Sequence, residues 1–423
     1  MHTAWFASIA SATASYFGAD RDWRNFARRA TRASTLALCS ALLSACGGDD
    51  SCIRDVPCGS VPHYDENQPA KVQTTQRFAS SGLGNWHSCM LDTTGAAWCW
   101  GSNENGQLGA KSSLLCNDDT IACSSQPLTV DGGHVFVSVV ASHNHTCALT
   151  ADGQAWCWGF GLGGQLGDGL RSNSQSPVSV AGGHRFIQIA ASLWQGVTCG
   201  LKADGTLWCW GVGFSGAAGP AGSSVPTLWT QAGTVALRSI SLGEAHACGL
   251  DAAGQAWCWG RNWFGEIGDG SGAFAAAPVP VAGGRSYRQL AVGPMHSCAL
   301  DQGGQAWCWG ITAAGDGGSM SSVRLAPVAV AGGLGLTQIA SGQARSCGLT
   351  ADGSAWCWGS GTNGGLGDGN SIDRSAPVAV TGGLGFASIA VGGMATCGLT
   401  GDGTAYCWGT NNTGALGKPI VAH

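Results

Sequence analysis

The chain has 423 residues, among them 70 Gly, 19 Trp and 20 Cys; only 11% are charged, and the formal net charge is −5. Glycine at this level without a Gly-X-Y period excludes collagen, and an acidic balance with no basic stripe beyond residue 45 argues against a phosphate-tracking nucleic-acid binder. Glycine together with abundant Trp, Val and Ile reads instead as many short strands joined by tight turns.

In chain order, residues 1–45 read as an export signal. Arg21, Arg24, Arg28, Arg29 and Arg32 form a basic stretch, and Ala33 to Leu43 is apolar but too short to span a bilayer as a helix. The long stretch before Ala33 leaves room for a start codon downstream of Met1. The run ends in Leu43-Ser44-Ala45-Cys46-Gly47, which resembles a bacterial lipobox; Cys46 would take the lipid and become the mature N-terminus. An ordinary secretory signal with a chance Cys is the alternative. Residues 46–68 read as a polar tether. Removing residues 1–45 leaves 15 basic residues against 23 acidic ones, a formal charge of −8. The expectation is an exported bacterial envelope protein, held to the membrane by its lipid alone, in the outer membrane or periplasm, with surface display as a further option.

From residue 69 to 423 the sequence repeats. Seven cysteine pairs share one internal spacing: Cys89 with Cys99, Cys147 with Cys157, Cys199 with Cys209, Cys248 with Cys258, Cys298 with Cys308, Cys347 with Cys357, and Cys397 with Cys407. Consecutive pairs start 58, 52, 49, 50, 49 and 50 residues apart. A period near 50 with strand-like content indicates one propeller blade per repeat. In the third unit, strands are predicted at residues 186–190, 198–202 and 206–211, with a fourth, outer strand starting at Val225 that tolerates Pro226 at an edge. The predicted fold is therefore all-β: a seven-bladed β-propeller of four-stranded antiparallel blades.

Hairpin geometry then fixes the cysteine register. With Ala151-Asp152-Gly153 as a three-residue loop and Gly153 in its left-handed position, Leu149 faces Ala155 and Cys147 falls opposite Cys157. That is a non-hydrogen-bonded position, where Cα atoms approach to about 4.5 Å, within disulfide reach. Each blade is expected to carry such a cross-strand disulfide, contributing about 2–3 kcal/mol by loop entropy and requiring an oxidising compartment. Reduced core thiols are one alternative. Zinc is another, but no Cys-x2-Cys spacing occurs. Cys116 with Cys123, and Cys52 with Cys58, are the remaining pairs, while Cys39 leaves with the signal.

Trp-Cys-Trp-Gly recurs at residues 98–101, 156–159, 208–211, 257–260, 307–310 and 356–359, with Tyr406-Cys407-Trp408-Gly409 as the seventh copy. Alternation puts both Trp opposite the disulfide, as an inter-blade core. His87, His145, His246 and His296 recur one per repeat, replaced by Val197, Arg345 and Ala395 elsewhere; a set so broken reads as structural rather than as a metal ring. Gly211–Gly216 and Gly159–Gly164 match G-x-G-x-x-G, but no helix follows to receive a pyrophosphate. Asp168, Asp269 and Asp368 sit in Gly-Asp-Gly turns, isolated from the further oxygens that calcium needs. No catalytic constellation, metal site or cofactor is expected.

These repeats resemble the regulator of chromosome condensation family. The resemblance covers about residues 70–423 and rests on His145-Thr146-Cys147, His246-Ala247-Cys248, His296-Ser297-Cys298, Asn103–Gly109 and Gly164–Gly169. It implies a seven-bladed propeller. It also implies, by family name, a guanine-nucleotide exchange role, although an exported chain without a basic tail meets neither the small GTPase nor the chromatin of that role. Plant relatives sense ultraviolet light through Trp and Arg on a propeller face; here most Trp lie in the strand motif. A secreted bacterial relative inhibits β-lactamase through face loops.

Four aromatics lie off the strand pattern, in loops: Trp86, Trp194, Trp263 and Phe264. Loop aromatics are common interface anchors; capping of blade ends is the alternative. With them, the long loop 110–126 is a candidate contact. The reading is a monomeric, lipid-anchored module that binds or scaffolds a protein or glycan at the envelope. Alternatives are an inhibitor of a secreted enzyme and an envelope lyase or hydrolase. For ring closure, the segments at residues 69–72 and 419–421 compete as the outer strand of the last blade, and the N-terminal one is favoured.

Overall fold

The computed structural model describes residues 67–420, except 113, 117–120, 195, 213–221, 231–234 and 312. The expected signal, the expected tether up to residue 66, Cys46, Cys52 and Cys58, as well as Gly213–Gly216, lie outside the described residues. No described helix is long and apolar enough to cross a membrane.

Seven antiparallel sheets follow one another along the chain, and six have four strands. Blade 2 shows the plan: Phe136–Ala141 is innermost, His145–Thr150 second, Ala155–Gly159 third and Ser174–Ser179 outermost. The innermost strands of successive blades contact one another around a complete cycle, blade 7 meeting blade 1. In the third unit the strands are Gln188–Ala191, Val197–Leu201, Leu207–Gly211 and Ser223–Leu228, within two residues of where the sequence places them. Blade 1 departs from the expected four strands by a fifth: Leu114–Cys116 pairs with Ile121–Thr129, stapled by Cys116–Cys123.

The hairpin register is the expected one. Leu149 pairs with Ala155 and Cys147 with Cys157. Gly153, at φ 80°, closes the loop by donating its N–H to Thr150 O. A disulfide is formed in every blade. From blade 1 to blade 7 they join Cys89 to Cys99, Cys147 to Cys157, Cys199 to Cys209, Cys248 to Cys258, Cys298 to Cys308, Cys347 to Cys357, and Cys397 to Cys407. Their Cα separations are 4.0–4.1 Å, somewhat shorter than the approach of about 4.5 Å expected for opposite, non-hydrogen-bonded residues.

Each disulfide packs against the next blade. The Cys147–Cys157 bridge shares a core with Phe186, Ile189 and Trp210 of blade 3. Cys397 and Cys407 of blade 7 share one with Val72, Phe78 and Trp100. The seventh blade is completed from the other end of the propeller: Ala70 pairs with Cys407, Lys71 with Tyr406, and Val72 donates to Ala405 O at 2.9 Å. Joining the chain ends in one sheet closes the ring.

The two Trp of each motif part company. The second, from Trp100 to Trp408, is fully buried between blades. The first is only partly covered, because it lies nearer the hairpin and meets the rim; in blades 2, 3 and 5 the residue X of the Gly-Gly-X connection from the preceding blade folds over it. The ring centre of His134 lies 3.9 Å from that of Trp156, and His184 lies 4.2 Å from Trp208. The Arg285 guanidinium stands 3.7 Å from the Trp307 ring centre. Trp229, which the motif does not include, is buried and stacks on Trp259 at 4.7 Å.

Candidate functional site

Antiparallel blades put their turns on two faces. One carries the turn between innermost and second strands and the long glycine-rich loop between third and outermost strands. We call it the loop face. The other carries the Asp-Gly hairpins and the Gly-Gly-X connections.

The repeated histidines lie just under the loop face and act between blades. His87 Nε2 bonds Thr146 Oγ1 at 2.7 Å, and His145 Nε2 bonds Thr198 Oγ1 at 2.7 Å. His246 and His296 reach Ser297 and Ser346, both at 2.9 Å. Thr146 in turn donates to Gln107 O, whose carbonyl also accepts the Trp158 indole N–H. Imidazole, hydroxyl, loop carbonyl and indole thus form a bolt across this joint, and His246, Ser297, Glu266 O and Trp309 repeat it between blades 4 and 5. Burial holds these imidazoles neutral, with pKa values down at about 3 for His87 and His145 and about 4 for His296. The histidines are structural, tied across blades rather than within their own loops.

The turn aspartates are also occupied locally. Asp168 accepts from Leu170 N at 2.9 Å, Asp269 from Ser271 N at 2.9 Å, and Asp368 pairs with Arg374 at 2.8 Å. Among the described residues no group of three or more His, Cys, Asp or Glu is arranged to hold a metal ion.

The four loop aromatics all lie on the loop face, in two clusters. Trp263 and Phe264 sit in the long loop of blade 4, after its third strand Ala256–Gly260. Trp263 is 69% exposed. Arg261 is held between two carboxylates, with Nη2 2.9 Å from Glu244 and Nε 2.9 Å from Glu266, and its guanidinium stands 5.7 Å from the Trp263 ring centre. Glu266 is fully buried; burial pushes its carboxyl up, and Arg261 opposes that shift. Its other oxygen accepts Phe264 N at 2.8 Å, which fixes the loop backbone. A large exposed ring is therefore presented from a pinned loop next to a guanidinium with a fixed direction. Trp and Arg in such a setting are the residue types that dominate binding hot spots.

Trp86 and Trp194 form the second cluster, joined by a residue the sequence did not single out. His143 lies 6.4 Å from Trp86 and 5.2 Å from Trp194, from the corresponding turn of the blade between them. Arg261, Glu244 and Glu266 were likewise missed; the only sequence signal is that Glu266 replaces the Gln107 and Gln165 of its sister loops. The hairpin of loop 110–126 exposes Leu114 and Leu115 at its edge.

These features describe a disulfide-bonded propeller of seven blades, six built on a Trp-Cys-Trp-Gly unit and the seventh on Tyr-Cys-Trp-Gly. Residues 43–387 match the RCC1-like domain model, and residues 386–415 match the regulator of chromosome condensation (RCC1) repeat. The chain belongs to the RCC1-like domain family. Among curated relatives, human Protein RCC2 is 36% identical over 99 residues, 23% of this chain and 18% of that protein. The ultraviolet-B receptor UVR8 of Arabidopsis thaliana is 32% identical over 105 residues, 25% of this chain and 22% of the receptor. Such matches span about a fifth of the relatives' length. Human WBSCR16 superposes with a TM-score of 0.67 at 18% identity, over 81% of this chain and 88% of that one. Prp20p of Saccharomyces cerevisiae gives 0.65 at 21% identity, over 80% and 84%. At these identities the likeness concerns the fold.

Proposed function

We propose that the mature chain is an exported, lipid-anchored propeller that binds a protein partner at the cell envelope through its loop face, with Trp263 as the anchor and Arg261 beside it. The observation that carries this reading is a 69% exposed Trp on a loop pinned by two ion pairs. An exposed aromatic that is already ordered loses little side-chain freedom on binding, so its burial converts efficiently into affinity. A structural relative, Prp20p, has binding properties toward Gsp1p and histones; the present chain's export signal and acidic mature charge direct the same scaffold to other partners.

The test is crosslinking capture from native envelopes with the mature domain and its Trp263→Ala variant. The expected result is a partner held by the wild type and lost in the variant, with both proteins unfolding at the same temperature. Equal capture by both would remove Trp263 as the anchor.

A further inference from the structure

The chain joins the propeller on the loop face. The outermost strand of a blade runs from that face to the hairpins, and in blade 7 this strand is Ala70–Lys71. Just ahead of it, Asn67 O accepts Gly369 N at 3.1 Å, and Asn67 Oδ1 accepts Ser371 Oγ at 2.8 Å. Both donors belong to the long loop of blade 6, between Ala355–Gly359 and Arg374–Ala379. Ser224 and Leu325 hold the same place in blades 3 and 5, their carbonyls accepting Gly169 N at 2.9 Å and Gly270 N at 2.8 Å. Gly364, at φ 69°, leaves the room that Asn67 fills: a Cβ there would collide with the Asn67 backbone. Asn67 is thus sewn to the loop face where blades 6 and 7 meet.

The point of entry decides which side of the propeller an upstream anchor draws toward lipid. A coil of as many residues as separate Cys46 from Asn67, roughly 20, has an end-to-end distance of about 25 Å. To place the hairpin face against the bilayer, the chain would first have to recross the height of a blade, about 20 Å for a six-residue strand. That would use most of its reach. The loop face needs no such detour. The same face presents exposed Leu170 in blade 2, Trp263 and Phe274 in blade 4, and Ile372 in blade 6. All four lie between the third and outermost strands of their blades.

We propose that the loop face is turned toward the membrane that holds the Cys46 lipid, and that the protein docking on Trp263 resides in that same membrane. The inference rests on the lipid-anchor and loop-face readings above, and adds to them an orientation and a class of partner. A bare bilayer is the poorer occupant, because the mature chain carries a formal charge of −8 and anionic headgroups repel it. A membrane protein is met in cis. Confinement of both molecules to one surface raises their effective concentration, so a contact centred on one aromatic anchor suffices.

The test puts a fluorescent donor on either face of blade 4 in the full lipidated chain. Ala273→Cys lies ahead of the outermost strand and Ala252→Cys in the hairpin; both positions are exposed. Each labelled protein is anchored by its lipid in phosphatidylethanolamine–phosphatidylglycerol vesicles that carry an acceptor on the headgroups. Energy transfer is expected to be several-fold stronger from position 273. Equal transfer, or stronger transfer from position 252, overturns the inference. A protein crosslinked to the wild type and lost in Trp263→Ala should be found in the membrane pellet of cells that lack this chain; finding it in the soluble fraction overturns the class of partner. Binding of the unlipidated Cys46→Ala chain to protein-free vesicles, abolished by Trp263→Ala, would make lipid the occupant and overturn it as well. Absence of lipid on Cys46 by mass spectrometry would overturn the anchor reading and this inference with it, whereas equal transfer from a lipidated chain overturns this inference alone.

Discussion

At the scale of single residues, blade 6 shows how one substitution in a repeat compels another. Arg345 stands where four other blades have His, and like them it reaches across the joint: Nε donates to Thr396 Oγ1 at 3.1 Å, and Nη2 to Gly393 O at 3.1 Å. Arginine is the larger group and needs room. It takes that room from the long loop, where Gln107, Gln165 and Glu266 have their counterpart in Gly365. The φ of Gly365 is −59°, so the backbone there accepts any residue; only space forbids a side chain, because a Cβ would run into the Arg345 guanidinium. Gly365→Gln alone should therefore destabilise by about 1–3 kcal/mol through overpacking. Gly365→Gln with Arg345→His should recover much of that loss. Urea unfolding of the two single variants and the double variant gives the coupling; simple additivity would mean that the two positions do not share that space.

Among the elements, the bolt between blades has a pH signature. The unfolded His pKa is near 6.5, and the folded values of His87, His145 and His296 are about 3, 3 and 4. Between these limits the unfolded chain binds protons that the folded chain refuses, so stability rises with pH through this window and falls as pH drops below about 6.5. Each such His should cost about 1.4 kcal/mol at pH 5.5, relative to pH well above 7. The unfolding temperature should thus fall steadily from pH 7 to pH 5, and His145→Gln should flatten that slope. A slope unchanged in the variant would mean that other groups set it.

The same elements show what a sequence discloses. The blade count, the disulfide register and the hairpin loop follow from local rules, because Cys147, Gly153 and Cys157 lie within one hairpin. Partners such as His87 with Thr146, or Asn85 with His143, lie 59 and 58 residues apart. They become neighbours only when blades stack, and no local rule pairs them. The division of each Trp pair into a buried and a half-covered ring has the same origin, since the covering group comes from the preceding blade. Of the four loop aromatics singled out in the sequence, all lie on one face. Their separation into a Trp263 cluster and a Trp86–Trp194 corner, and the Arg261 and His143 that organise each, required the blades to be assembled.

For the whole molecule, a two-residue strand completes the last blade. Ala70–Lys71 and the adjoining Val72, 1% exposed, form its outer edge, while Phe78 N donates to Gly403 O at 2.8 Å and blade 1 packs on the Cys397–Cys407 core. A chain beginning at Gln73 loses that strand and uncovers the edge of the third strand, Ala405–Gly409. It should unfold at a lower temperature and self-associate through the exposed edge, whereas one beginning at Asn67 should remain monomeric on size exclusion.

The proposal that this propeller, stapled blade by blade, works outside the cytoplasm can be checked by trapping thiols in living cells. Cells are treated with a membrane-permeant alkylating agent before lysis, and the protein is then denatured, reduced and alkylated with a second reagent of different mass. The seven blade pairs and Cys116–Cys123 should carry only the second label, since disulfides form and persist in an oxidising compartment. First-reagent label on the blade cysteines would show them reduced in the cell, and would rule out both the staples and the export.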